Sequence, residues 1–235
     1  MLEIPVRGGR MGGYLAGATG RRPGILVLQE IFGVNIAMRS VADTLAAAGY
    51  LVFAPDLFHR LETGVALSYE PEDRPKALAL WERYDADLTG ALADIAAAID
   101  VVRLHQNCNG RVGLVGFCLG GKLALLAASD GGAQAAVAYY PVQMQRHRAE
   151  VRRIECPIQV QLGSDDSHVP PEVMSQLAAD VALTPQGQLV VHEGAGHGFY
   201  NSYRAVGYHP AAAAAAHAGM MQFLHDSLGG AASGD

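Results

Sequence analysis

Short apolar runs recur along this chain, and the stretches between them have the length and spacing of helices. Gly24-Ile25-Leu26-Val27-Leu28-Gln29 and Tyr50-Leu51-Val52-Phe53-Ala54 are continuous runs, the pattern of strands buried on both faces in a parallel sheet. Between them Ile36–Ala48 is helical in pattern and is closed by Gly49. The rhythm continues with a helix over Leu88–Leu104, strand Arg111–Val115, helix Lys122–Ala128, strands Ala135–Tyr140 and Ile158–Leu162, helix Pro171–Val181, strand Gln188–His192 and a final helix within His209–Leu228. Strands alternating with helices at this spacing specify a single doubly wound, mostly parallel α/β sheet with helices on both faces. Ahead of it, alternation in Leu2–Arg7 and Gly12–Ala16 around a Gly-Gly turn predicts a short antiparallel hairpin. The Ala211–Ala216 tract runs on into Met220, Phe223 and Leu224 and reads as helix, because Ala has the best helix propensity. Residues 229–235 read as a frayed tail.

Composition narrows the function. The 235 residues are 50% hydrophobic, with 17 Lys+Arg against 23 Asp+Glu and a formal charge of −6, which suits a globular chain with a full core. No linker-like segment divides it, so one domain over 1–235 is expected. Mild acidity and scattered basic residues argue against a nucleic-acid surface. No apolar run approaches the roughly 20 residues needed to cross a bilayer, and Met1–Arg7 has no signal core. The expectation is a cytoplasmic protein without membrane or nucleic-acid partners, a monomer or weak oligomer. The three cysteines fit reduced thiols better than a disulfide framework. Cys108 and Cys156 stand alone, and with no Cys-x-x-Cys pair, clustered histidines or dinucleotide loop, neither metal nor organic cofactor is expected.

Cys118 is the residue that points to chemistry. Gly116-Phe117-Cys118-Leu119-Gly120-Gly121 follows the run Val112–Val115 and opens the helical stretch Lys122–Ala128. Strand, tight Gly-x-Cys-x-Gly turn and helix would lift the thiol to the top of a sheet, as a nucleophile elbow does for serine. It would also sit at a helix N-terminus, where unpaired amides favour an anion, and thiolate is the form that attacks carbon. A cysteine nucleophile needs a base and an orienting carboxylate. After strand Ile158–Leu162 comes Gly163-Ser164-Asp165-Asp166-Ser167-His168-Val169-Pro170, and after Gln188–His192 comes Glu193-Gly194-Ala195-Gly196-His197-Gly198-Phe199. Nucleophile, acid, histidine is the chain order of α/β-hydrolases. His197 is the preferred base, ahead of His168 and His192. Asp166 is preferred as the acid, three residues before Val169, which leaves Asp165 a solvated turn residue. Two amides should hold the oxyanion, Leu119 directly after the nucleophile and Ile31 in the loop after strand Gly24–Gln29.

Taken together, Gln29-Glu30-Ile31-Phe32-Gly33, the Gly-Phe-Cys-Leu-Gly-Gly elbow, Gly163-x-x-Asp166-x-x-Val169-Pro170 and Gly194-Ala195-Gly196-His197-Gly198-Phe199 resemble the dienelactone hydrolase family, also called carboxymethylenebutenolidases. The resemblance runs from about Ile25 to the last helix. It implies the α/β-hydrolase fold and hydrolysis of a small lactone or activated ester through an acyl-enzyme. It also gives Glu30 a role: pairing with the resting thiol, then helping to remove its proton once substrate displaces the pair. Arg74, seven residues before Trp81, matches a family arginine that binds the substrate carboxylate, a role suited to a planar two-pronged donor. Phe32, Trp81, Phe199 and the pair Tyr139-Tyr140 would wall the pocket or else belong to the core. One departure stands out: four residues beyond the histidine, where the dienelactone-active members carry a second arginine, this chain has Asn201. Losing that cation would weaken selection for an anionic substrate by roughly 1–3 kcal/mol, unless Arg204, three residues further on, reaches the site. A broad carboxylesterase is the alternative enzyme. A redox-active thiol protein is an alternative of another class, and a non-catalytic binding module a third.

Overall fold

The computed structural model describes residues 2–17 and 19–229. Residues 230–235 of the anticipated tail lie outside the described residues. Nine strands and seven α-helices follow in order: β1 (Ile4–Val6), β2 (Gly9–Met11), β3 (Gly13–Ala16), β4 (Arg22–Leu28), α1 (Ile36–Ala47), β5 (Leu51–Pro55), α2 (Arg74–Asp85), α3 (Leu88–Leu104), β6 (Cys108–Phe117), α4 (Leu119–Ser129), β7 (Ala135–Tyr139), α5 (Arg148–Arg152), β8 (Ile158–Gly163), α6 (Pro171–Val181), β9 (Gly187–His192) and α7 (Pro210–Leu228). Seven strands form one sheet in the order β3-β5-β4-β6-β7-β8-β9. Only β3 runs antiparallel, against β5. This is the mostly parallel, doubly wound sheet expected from the alternation of runs, and the α/β-hydrolase fold that the resemblance implies.

The apolar runs became strands because both sides of the sheet are covered. Along β4, Ile25 and Val27 pack with α1 and α7, while Leu26 and Leu28 pack on the opposite face with α3 and α4. The same alternation places Val115 and Phe117 of β6 on one face and Val112 and Leu114 on the other. Successive side chains of a strand point to opposite faces, so a run with no polar member needs helices on both.

Three segments differ from the sequence pattern. The hairpin forms between β1 and β2, with Val6 opposite Gly9. The second segment expected as its partner, Gly12–Ala16, instead supplies β3 to the edge of the main sheet, where Leu15 pairs with Phe53. Helices α2 and α5 have no counterpart among the expected elements. Of α2 only Ala77, Leu80 and Tyr84 are buried, a stripe too thin to stand out, and α5 has five residues.

The strand order sets the place of the site. From β4 the chain crosses through α1 to β5 on one side, whereas β6 lies against β4 on the other. The loops leaving β4 and β6 therefore diverge at neighbouring carboxyl ends, the switch point at which doubly wound sheets bind ligands.

Candidate active site

The elbow is built by close packing. Gly116 pairs with Leu28 across the sheet, and a Cβ on Gly116 would run into the carbonyl of Gly120. A Cβ on Gly120 would meet the carbonyl of Leu28, and the Gly120 amide bonds the Gln29 carbonyl at 3.0 Å. With no side chains in the way, α4 starts directly against β4. The turn is made at Cys118, at φ 55° and ψ −112°, a conformation rarely held outside glycine. Cys118 is half-buried and stands at the N-cap of α4. Leu119 follows as the first helical residue, so its amide is among those a helix start leaves free.

The loop after β4 is pinned from outside. Val34 donates to the Val65 carbonyl at 3.0 Å, Leu67 donates to Phe32 at 2.9 Å, and the Asn35 side chain donates to Leu67 at 2.9 Å while capping α1. Gly33, at φ 78°, leaves no room for a Cβ against the Val65 carbonyl. These bonds hold Ile31 beside the elbow.

His197 and Asp166 meet as a pair. Asp166 Oδ2 accepts from His197 Nδ1 at 2.9 Å, and Oδ1 accepts from the His168 amide at 2.8 Å. Asp165 is exposed and takes the Ser164 hydroxyl instead. Burial by itself would raise the Asp166 carboxyl, but the bonds from His168 and His197 hold it well below the usual carboxylate range. Burial likewise opposes charge on His197, yet the facing Cys118 sulfur and the Asp166 bond together push it up to about 10. His192 stands apart, buried against Gln161 at 2.7 Å.

Glu30 is almost fully buried and is held by three donors: Tyr69 Oη at 2.7 Å and Asn201 Nδ2 at 3.0 Å on Oε2, and Tyr140 Oη at 3.3 Å on Oε1. Among the described residues these three side chains take up the carboxylate's bonds, and Glu30 shares a cavity with Cys118. Burial first, and then the charge of Glu30, push the Tyr69 hydroxyl far above the phenol range, which keeps it a donor.

One cavity of about 50 Å³ gathers Cys118, His197, His168, Glu30, Ile31 and Phe32 with Arg74, Trp81 and Arg204. Arg204, whose reach the sequence left open, therefore stands in the site, its guanidinium 5.8 Å from the Tyr69 ring centre. Phe199 does not line this cavity. It is fully buried between Tyr139, Tyr140 and His192, because the residue after Gly198 turns back into the core. Tyr140 and Asn201 are not walls of this cavity; both bond Glu30, and the Tyr140 ring also stands edge-on to that of His197 at 5.0 Å between centres. Two participants have no signal in the sequence. Tyr69 lies 39 residues from Glu30 in an irregular loop with no motif around it. His168 reads there only as a rival base, yet its ring lies on that of His197 at 4.3 Å between centres.

Asp166, His168 and His197 also bring their ligand atoms within 4.8 Å of one another. Both Asp166 oxygens are already accepting hydrogen bonds, so the group has the order of an imidazole held by a carboxylate rather than an open set of metal ligands. Among the described residues no helix is long and apolar enough to cross a membrane.

Comparison with known proteins agrees with the geometry. The profile of the dienelactone hydrolase family matches residues 11–228. The carboxymethylenebutenolidase of Pseudomonas putida is 36% identical over 226 residues, covering 95% of this chain and 94% of the relative. Carboxymethylenebutenolidase 1 of Cupriavidus pinatubonensis is 35% identical over 75% of this chain and 76% of its own length. A dienelactone hydrolase-like promiscuous phosphotriesterase from metagenomic libraries shares the fold, with a TM-score of 0.83 at 22% identity and 97% of each chain covered. With a match over nearly the whole length and relatives this similar, the chain belongs to the dienelactone hydrolase family, hydrolases of lactone and ester bonds.

Proposed function

We propose that this chain is a thiol hydrolase of small carboxylate-bearing lactones or activated esters, with dienelactone as the reference substrate. The observation that carries this reading is the 2.9 Å bond from His197 to the buried Asp166, on an imidazole that shares a cavity with Cys118. Asp166 occupies Nδ1, leaving Nε2 to exchange protons with sulfur and substrate. The thiolate adds to the carbonyl carbon, and the amides of Leu119 and Ile31 receive the oxyanion. As the C–S bond stands and the ester C–O bond breaks, the leaving oxygen takes the proton of His197. Water then gives a proton to His197 while its oxygen attacks the thioester. The C–S bond breaks, the acid departs, and sulfur leaves as thiolate facing the imidazolium. For Glu30 to help remove the thiol proton, one of its bonds must be given up when substrate enters. We assign the 3.3 Å bond from Tyr140, the longest of the three.

Arg74 and Arg204 supply the anion selectivity. Arg204 approaches from three residues beyond Asn201, so the cavity has two guanidiniums although the usual second arginine position is asparagine. The Asn201 substitution is what favours the alternative, a broad carboxylesterase. The ratio of kcat/KM for an aryl hemisuccinate to that for the neutral aryl ester separates the two. The proposed activity requires a ratio well above one that falls in Arg74→Ala and Arg204→Ala; a ratio near one that neither variant changes marks the broad esterase. The acyl-enzyme is tested by mass spectrometry of His197→Ala after exposure to the hemisuccinate. A succinyl increment on the Cys118 peptide is expected, and its absence alongside full turnover by Cys118→Ala would overturn the reading.

A further inference from the structure

The cavity at Cys118 is too small to hold a whole substrate. Its 50 Å³ falls far below the roughly 300–1,000 Å³ of ordinary small-molecule sites. Next to it lies a second cavity of about 400 Å³. Phe32, Arg74 and Arg204 are walls of both, so the two guanidiniums stand at the junction. Among the described residues, neither guanidinium pairs with a carboxylate. The remaining walls of the outer cavity are mainly apolar. Tyr69 packs on Phe32 with ring centres 4.7 Å apart, and Pro71, Ala205 and Val206 complete the surface. Val206 is 83% exposed, which leaves a branched aliphatic side chain uncovered at the mouth of a cleft. Glu70 is the one acid in this wall and opposes a second anion there.

We propose that the outer cavity receives an apolar substituent of the substrate. The substrate class is then a carboxylated ester or lactone bearing an alkyl or aryl extension: the reacting carbonyl at Cys118, the carboxylate between Arg74 and Arg204, and the extension against Phe32, Tyr69, Pro71 and Val206. The inference rests on the hydrolytic reading for its chemistry, but the cavity can be tested without turnover. Trp81 is the chain's one tryptophan and lines the inner cavity, so its emission reports ligands there.

The experiment titrates succinate and its 2-methyl, 2-ethyl and 2-propyl derivatives into the Cys118→Ser protein, following Trp81 fluorescence. Affinity is expected to rise about fourfold per added methylene. The rise should vanish in Ala205→Phe, which fills the outer cavity from an exposed loop position without adding a second tryptophan, and shrink in Val206→Asp. Affinity that is flat or falling with length, or a rise that survives both substitutions in variants with unchanged melting temperature, overturns the proposal. Aryl monoesters of the same acids are then offered to the unsubstituted enzyme. A matching trend in kcat/KM supports both readings, and binding that lengthens with the chain but no turnover of any ester refutes the hydrolytic reading while leaving the outer cavity standing. Turnover of the unsubstituted ester with no gain from extension does the reverse.

Discussion

Cys118 is held at a positive φ by the two main-chain approaches that meet at Gly116 and Gly120. A non-glycine residue in such a conformation costs on the order of 1–3 kcal/mol, and it persists where the surroundings over-determine it. Here the strain has a purpose, since it aims Sγ into the cavity rather than along the helix. Gly120→Ala should destabilise the fold by about 1–3 kcal/mol, because the added methyl overpacks against the Leu28 carbonyl. The same change should lower kcat as the elbow shifts; denaturant melts and hydrolysis rates check both. A second outcome belongs to the carboxylate behind His197. Asp166→Asn keeps the shape but offers an amide where the imidazole needs an acceptor, so kcat should fall roughly 10³- to 10⁴-fold, with little loss of substrate affinity. Steady-state kinetics on the aryl hemisuccinate measures it.

At the level of elements, buried ion pairs fix how the outer helices sit. Lys122 of α4 is fully buried, where its ammonium meets Asp85 at the end of α2 and donates to Gln143 at 2.8 Å. Removing one member of a buried pair is costly because the other loses its partner. Asp85 keeps some exposure, and Lys122→Met is therefore expected to cost about 2–3 kcal/mol. That change would also loosen α2, which carries Arg74 and Trp81, so KM for the carboxylated ester should rise with it. Asp180 of α6 ties α5 to α6 in the same manner, accepting Arg148 at 2.7 and 3.0 Å and Arg152 at 2.6 Å. Both guanidiniums are partly exposed, and solvent screening reduces their worth. Asp180→Asn should cost about 1–2 kcal/mol in denaturant melts without changing the chemistry, since α5 touches none of the reacting groups.

For the whole molecule, the paired groups define a window of pH stability. The Arg148 bonds, opposed by burial and helped by Arg152, hold the Asp180 carboxyl below its ordinary value, and Asp166 is lowered as well. A depressed carboxylate contributes stability above its unfolded value of about 3.9, and the contribution is lost as pH falls through the folded value. His197 works in the other direction. Raised to about 10, it contributes fully below the imidazole's unfolded value of about 6.5 and loses that contribution as pH climbs toward 10. The melting temperature should therefore hold a plateau between about pH 5 and 6.5, then fall on both sides. Asp180→Asn should flatten the acid flank, and Cys118→Ser should flatten the alkaline one by removing the sulfur that faces the imidazole. A profile in which neither variant alters its flank would mean that other groups set the window.

How much of this was legible in the chain follows from the range over which each interaction acts. The α/β alternation, the elbow and the chain order of Cys118, Asp166 and His197 could be read from sequence, because each depends on residues a few positions apart: periodicity within a run, glycines flanking a turn, a polar residue just past a strand. The hairpin pairing differs from expectation for a related reason, since two short alternating segments carry no local mark of which strand each will join. Only the tertiary structure decided what surrounds Glu30, where Tyr69, Tyr140 and Asn201 converge from 39, 110 and 171 residues away. It alone turned Phe199 into the core, brought Arg204 to a cavity it shares with Arg74, and opened the larger space beyond them. Such convergence is set by how loops fold over the carboxyl edge of the sheet, and that depends on packing summed over the whole molecule rather than on any local pattern.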